Sequence, residues 1–215
     1  MGRRARAILV SGVIAASAIG IAVAPTGGGG GAPGTANLWV DTNGGTCVRQ
    51  ATASAYVDAS ACSSLSAAAS AASAGDTVRV ISGTYGAQSV TRTGLTRDTN
   101  FDNNIQFIAD GGPGSVTVSS LSVGSSSSGT YGGVSFDGFH STGGPAIQEA
   151  KDVRFANMEA NDMTYVSNSQ DIKFEKYTVQ PNGWPTTSSA PFNNGWGFGI
   201  AQQGSGSASA PSRIT

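Results

Sequence analysis

Two four-residue phrases constrain this chain more than anything else in it. Asp152-Val153-Arg154-Phe155 and Asp171-Ile172-Lys173-Phe174 both read acid, β-branched residue, cation, phenylalanine, nineteen positions apart. The offset is not confined to those residues. Ile147 and Val166 keep it, as do Ala146 and Tyr165, and Phe139, Met158 and Tyr177 follow one another at the same interval. Val134-Ser135-Phe136-Asp137 lies nineteen positions before the first phrase, so three units share the frame apolar-x-Phe-x-x-apolar. Ile105-Gln106-Phe107 and Val78-Arg79-Val80 read as earlier members, at longer spacings of 29 and 27 residues.

A helical repeat is usually longer, about 33–47 residues, and carries a 3.6-residue apolar period. Here apolar residues alternate over short runs broken by Gly, Asn and Asp, which is the pattern of strands. Short strands repeated every nineteen residues predict an all-β fold in which the chain winds as a parallel β-helix. Each turn would lie about 4.8 Å above the last. No turn can bury its apolar residues alone, so turns need neighbours and capped ends. Val153, Phe155, Ile172 and Phe174 then point into the core. Strict alternation puts Asn104, Gln106, Ser135, Asp137, Asp152, Arg154, Asp171, Lys173 and Glu175 on the outward face. Asp152 is expected beside Asp171, and Arg154 beside Lys173.

The 215 residues suffice for one domain with a core. A net charge of −1 with 12% charged residues leaves no basic stripe to meet phosphates, which argues against nucleic acid as a partner. Residues 1–24 read as a signal peptide, with a cationic start, an uncharged run over residues 7–24 and the small-x-small Ala22-Val23-Ala24. Cleavage after 36 is the alternative. The run is only mildly apolar, which favours export, to a secreted location, over an uncleaved anchor. Residues 25–36 form a Gly-rich linker, and residues 37–215 form the β-helix domain. In an exported chain Cys47 and Cys62 are expected to form a disulfide, which would add about 3 kcal/mol in the chain-entropy model.

The stretch SSLSAAASAASA (residues 63–74) has Leu65, Ala68, Ala69 and Ala72 at helical spacing and is expected to be a short helix plugging the first turn. Taken together, NLWVDTNGG (residues 37–45), this helix and GDTVRVISGTYG (residues 75–86) resemble the opening of secreted right-handed parallel β-helix proteins of the pectate-lyase-like superfamily. The resemblance covers residues 37–215. It implies a right-handed coil and a role in cleaving or binding polysaccharide. In lyases of this fold, outward carboxylates hold Ca²⁺, which acidifies the sugar C–H beside a uronate, and an Arg or Lys removes the proton. Carried onto this chain, Asp137, Asp152, Arg154, Asp171 and Lys173 are the catalytic candidates, with Asp152 and Asp171 as calcium ligands. The lyase family's Arg-containing catalytic motif is not found here. The same carboxylates would suit a glycoside hydrolase. They would also suit a solvated ladder of Asp–Arg and Asp–Lys pairs with no chemistry at all.

Residues 178–197 (TVQPNGWPTTSSAPFNNGWG) break the nineteen-residue beat. Trp184, Phe192 and Trp196 there are candidate sugar-stacking residues, since aromatic rings offer an apolar face and function gathers on long loops. The strand pattern resumes at Phe198-Gly199-Ile200 and again at Arg213-Ile214, which suggests a further turn and an incomplete β-helix. His140 reads as a surface residue. Two classes of function follow, a secreted polysaccharide lyase or glycosidase and a non-catalytic cell-surface or carbohydrate-binding coil, with a truncated and inactive relative as a third reading.

Overall fold

The computed structural model describes residues 34–93, 101–125 and 131–180, with the backbone of residues 198–200 and 212–214. After β1 (Leu38–Val40) and an α-helix, α1 (Leu65–Ala71), the strands come in threes. They are β2 (Thr77–Val80), β3 (Gly83–Tyr85) and β4 (Gln88–Val90), then β5 (Ile105–Ala109), β6 (Val116–Val118) and β7 (Leu121–Gly124). The third set is β8 (Tyr131–Asp137), β9 (Phe139–Ser141) and β10 (Ala146–Gln148), and the fourth is β11 (Ala150–Ala156), β12 (Glu159–Ala160) and β13 (Thr164–Ser167). The last strands are β14 (Gln170–Glu175), β15 (Thr178–Val179), β16 (Phe198–Ile200) and β17 (Ser212–Ile214).

One strand of each triplet goes to each of three parallel sheets. The first sheet runs β1-β2-β5-β8-β11-β14-β17, the second β4-β7-β10-β13-β16 and the third β3-β6-β9-β12-β15. The nineteen-residue frame is the register itself. Val134 pairs with Val153 and Val153 with Ile172, and on the second sheet Ile147 pairs with Val166. The strands expected near residues 198–200 and 213–214 are present, and Ile214 lies over Ile172. One register differs from expectation. Val78 pairs with Phe107, so the first interval is 29 residues, not 27. A shift of two residues leaves inward and outward faces unchanged, because the side-chain period is two.

The three sheets face one another across a single apolar core. Its spine is an in-register column of Leu38, Val78, Phe107, Phe136, Phe155 and Phe174. Phe107 stacks on Phe136 at 5.0 Å, and Phe136 meets Phe155 edge-on at 5.6 Å. Each fully buried side chain of this size contributes about 1.5–3 kcal/mol. Helix α1 closes the β1 end. Ser64 caps its N-terminus by accepting from the Ala67 N–H, and Leu65, Ala68 and Ala69 are buried in the core. The Arg92 guanidinium donates to the carbonyls of Ala69 and Ala72, filling acceptors the last turn leaves open.

The loop leading into α1 is held by the Cys47–Cys62 disulfide. Trp39 packs edge-on against Tyr56 under this loop, and its indole N–H donates to the Ser54 carbonyl. Arg49 reaches Asp76 with two hydrogen bonds of 2.6 and 2.8 Å and ties the loop to the start of β2. Burial by itself would raise the Asp76 carboxyl. The Arg49 hydrogen bonds and the Ser73 N–H outweigh it and hold the group below its ordinary value.

Left-handed residues recur at the same interval. Gly133, Asp152 and Asp171 have φ of 63°, 55° and 55°; Gly138, Asn157 and Lys176 have 81°, 47° and 48°; Glu149 and Asn168 have 51° and 48°. Each column sits at a bend between strands or inside a long strand, so the chain turns at the same places in successive units. Asn and Asp tolerate this conformation better than most residues, whereas Lys176 gains nothing from it. Lys176 is exposed. Lys176→Gly is expected to stabilise the fold by about 0.5–1 kcal/mol and Lys176→Val to destabilise it by about 1–2 kcal/mol, read from urea unfolding midpoints.

Candidate functional site

The charged face expected from the repeat lies on the outward side of the first sheet. Gln106, Ser135, Arg154 and Lys173 form one in-register column, and Ile108, Asp137, Ala156 and Glu175 form the next. Arg154 does lie beside Lys173. Both cations converge on Glu175. Arg154 Nε is 2.5 Å from one carboxylate oxygen, and Lys173 Nζ is 2.6 Å from the other. Lys173 first, then Arg154, hold the Glu175 carboxyl below its ordinary value. Asp137 sits apart from this triad and accepts from Asn157 Nδ2 at 2.8 Å.

Asp152 and Asp171 depart from the expected placement. Strict alternation puts them on the solvated face, yet they are only 4% and 5% exposed. The cause is local. Their positive φ breaks the alternation, and the ladder passes from Lys151–Gln170 straight to Val153–Ile172. They stay in one column, one unit apart, but they are buried kink residues and not rungs of an outward ladder. Ser135 keeps its place in the outward column but is covered, and Asn104, also expected to face out, is buried. Asn104 Nδ2 donates to Ser135 Oγ at 3.1 Å and to the Asp152 carbonyl at 2.9 Å, reaching across Gly133, which has no side chain.

These placements bear on calcium. Ca²⁺ takes six to eight oxygens, mostly from carboxylates and carbonyls. Among the described residues, no three of His, Cys, Asp or Glu gather as metal ligands. Asp152 and Asp171 are recessed from the face on which a uronate would lie. The residues present therefore do not fit the expected calcium site.

His140 lies on β9, half-buried, with Nε2 3.1 Å from Asn161 Oδ1, and its register partner is the exposed Glu159. The pair stands on the third sheet, away from the Arg154–Lys173–Glu175 triad. Trp184, Phe192 and Trp196 lie outside the described residues, as do residues 1–24, read as a signal peptide. Among the described residues no helix is long and apolar enough to cross a membrane.

Glu175 is the member of this charged triad that was not among the candidate site residues. Ala156 occupies its place in the preceding unit, so no recurrence marks it. The signal was in the Lys173-x-Glu175 spacing, which puts both side chains on one face of a strand. Comparisons with protein-family models, curated proteins and solved structures each found no match.

The triad gives a pH signature. Because the folded Glu175 carboxyl is depressed, its contribution is present above the ordinary glutamate value of 4.5 and is lost as pH falls through the folded value. Partial exposure limits it to less than about 1 kcal/mol. Wild type is expected to exceed Glu175→Gln in stability at neutral pH, with the gap closing in acid below the ordinary value. Urea titrations across that range measure it.

Proposed function

We propose that this chain is an exported right-handed parallel β-helix of the pectate-lyase-like kind that binds polysaccharide without cleaving it. The fold part rests on the rotation of strands through three parallel sheets and on a nineteen-residue register. Parallel crossovers are right-handed in about 98% of cases, which supports that hand. Export rests on residues 1–24 and accords with the Cys47–Cys62 disulfide.

One observation favours binding over catalysis. Most of the charged side chains proposed for the chemistry already have partners: Arg154 and Lys173 meet Glu175, and Asp137 accepts from the neutral amide of Asn157, while Arg79 on the same sheet meets Asp110. A general base must reach a substrate proton at about 2.6–3.2 Å, and a lyase base must do so beside a cation that offsets the uronate. Asp152 and Asp171, the residues assigned to hold that cation, are buried. What remains is a rigid polar face whose strands repeat at about 4.8 Å, suited to lie along an extended polymer.

The test offers the full chain a panel of plant, algal and bacterial polysaccharides. It follows binding by retention, and products by the ultraviolet absorbance of unsaturated uronides and by reducing ends. The expected result is affinity without products, with Trp184→Ala and Trp196→Ala each weakening binding about tenfold, equivalent to about 1.4 kcal/mol. Products that accumulate with wild type and vanish with Asp152→Ala or Asp171→Ala would establish the enzyme reading in its place.

A further inference from the structure

The second sheet carries a feature the charged face lacks. Tyr165, on β13, is 46% exposed, one of three large apolar or aromatic side chains left open among the described residues. The other two, Val48 and Val57, lie on the disulfide-held loop. The exposure of Tyr165 has a structural reason. Its neighbours in the ladder are Ala146 on one side and Gly199 on the other, and Ser122 follows Ala146. Flanking strands lie about 4.8 Å away, close enough for any larger side chain there to cover the ring. Ala and Gly leave it uncovered on both sides.

The adjoining positions are polar and uncharged. Gln148 pairs with Ser167, two residues further along the strands from Ala146 and Tyr165. Both are half-buried and outward. They supply an amide with two donors and an acceptor, and a hydroxyl that serves as either. Glu149 follows Gln148 in the chain, and its carboxylate accepts from Asn168 Nδ2 at 2.8 Å.

From this arrangement we propose that Tyr165, with Gln148 and Ser167, forms a subsite for a neutral pyranose unit of the polysaccharide. The sugar's C–H face lies on the phenol ring, and its hydroxyls meet the amide and the serine. An aromatic body with a polar tip suits a ligand that is apolar on its faces and wet at its edges. Tyr165, Gln148 and Ser167 carry no charge and the adjoining Glu149 is an acid, so a neutral sugar suits the subsite better than a uronate, whose carboxylate Glu149 would repel. The inference rests on the polysaccharide-binding reading and adds to it a site, a face and a sugar class.

The experiment titrates the full chain with neutral β-linked gluco- and manno-oligosaccharides and, in parallel, with oligogalacturonate. Tyr ring signals are followed by NMR and affinity by calorimetry. Tyr165→Ala is expected to lose at least about tenfold in affinity for a neutral oligosaccharide, and Tyr165→Phe to retain most of it. Ala146→Leu, which sets a branched side chain beside the ring, is expected to weaken binding without changing the thermal unfolding midpoint. Neutral sugar should shift the Tyr165 ring signals and oligogalacturonate should not. Binding of wild type that is indifferent to Tyr165→Ala would overturn this subsite while leaving polysaccharide binding standing. Wild type that binds none of the polysaccharides or oligosaccharides would overturn both.

Discussion

Everything in this molecule depends on parallel strands finding their partners in the neighbouring unit. A strand of two to seven residues has no partner within its own unit. Its N–H and C=O groups are satisfied by the strand of the same sheet one triplet earlier and one triplet later. The same pairing superposes Phe107, Phe136, Phe155 and Phe174, so backbone satisfaction and apolar burial come from one geometric condition. An error of one residue in that register would turn every phenylalanine outward at once.

The repeat made the core legible. Val134, Val153 and Ile172 superpose as their spacing implied, and so do Ile147 and Val166. The α1 helix and the disulfide could also be read, from alanine spacing and from two cysteines fifteen residues apart. The surface was less legible. Alternation assigns a face only while the backbone stays extended, and nothing in the letters Asp152 and Asp171 announces a left-handed φ. In hindsight the aligned Gly133 is the clue. A glycine and two aspartates in one column at constant spacing are residues that share tolerance for that conformation. The earliest interval was misjudged for a related reason: inserted residues change spacing without changing parity, so 27 and 29 residues looked alike.

The candidate face shows how similar residues can carry different chemistry. Aspartates, an arginine and a lysine in adjacent columns suit acid–base work if they face a common cleft. In the fold, two of the aspartates are recessed, the cations meet on a glutamate that has no counterpart one unit earlier, and the third aspartate is held by an asparagine. Charge recurrence marked where to look but could not separate a working constellation from one that neutralises itself. The exposed aromatic on the second sheet is legible on one side only: the nineteen-residue offset sets Tyr165 beside Ala146, whereas Gly199 lies outside that offset and only the ladder places it on the other side.

Asn104 bonds to a carbonyl two units away, over the bare backbone of Gly133. That single strap makes the early part of the array non-modular. A unit inserted between residues 133 and 152 would move the Asp152 carbonyl from two strand spacings to three, beyond the reach of Asn104, whose amide would keep only its Ser135 partner of the two it has here. Growth and loss of whole units in the descendants of such a chain should therefore avoid the stretch that the strap spans, between residues 104 and 152.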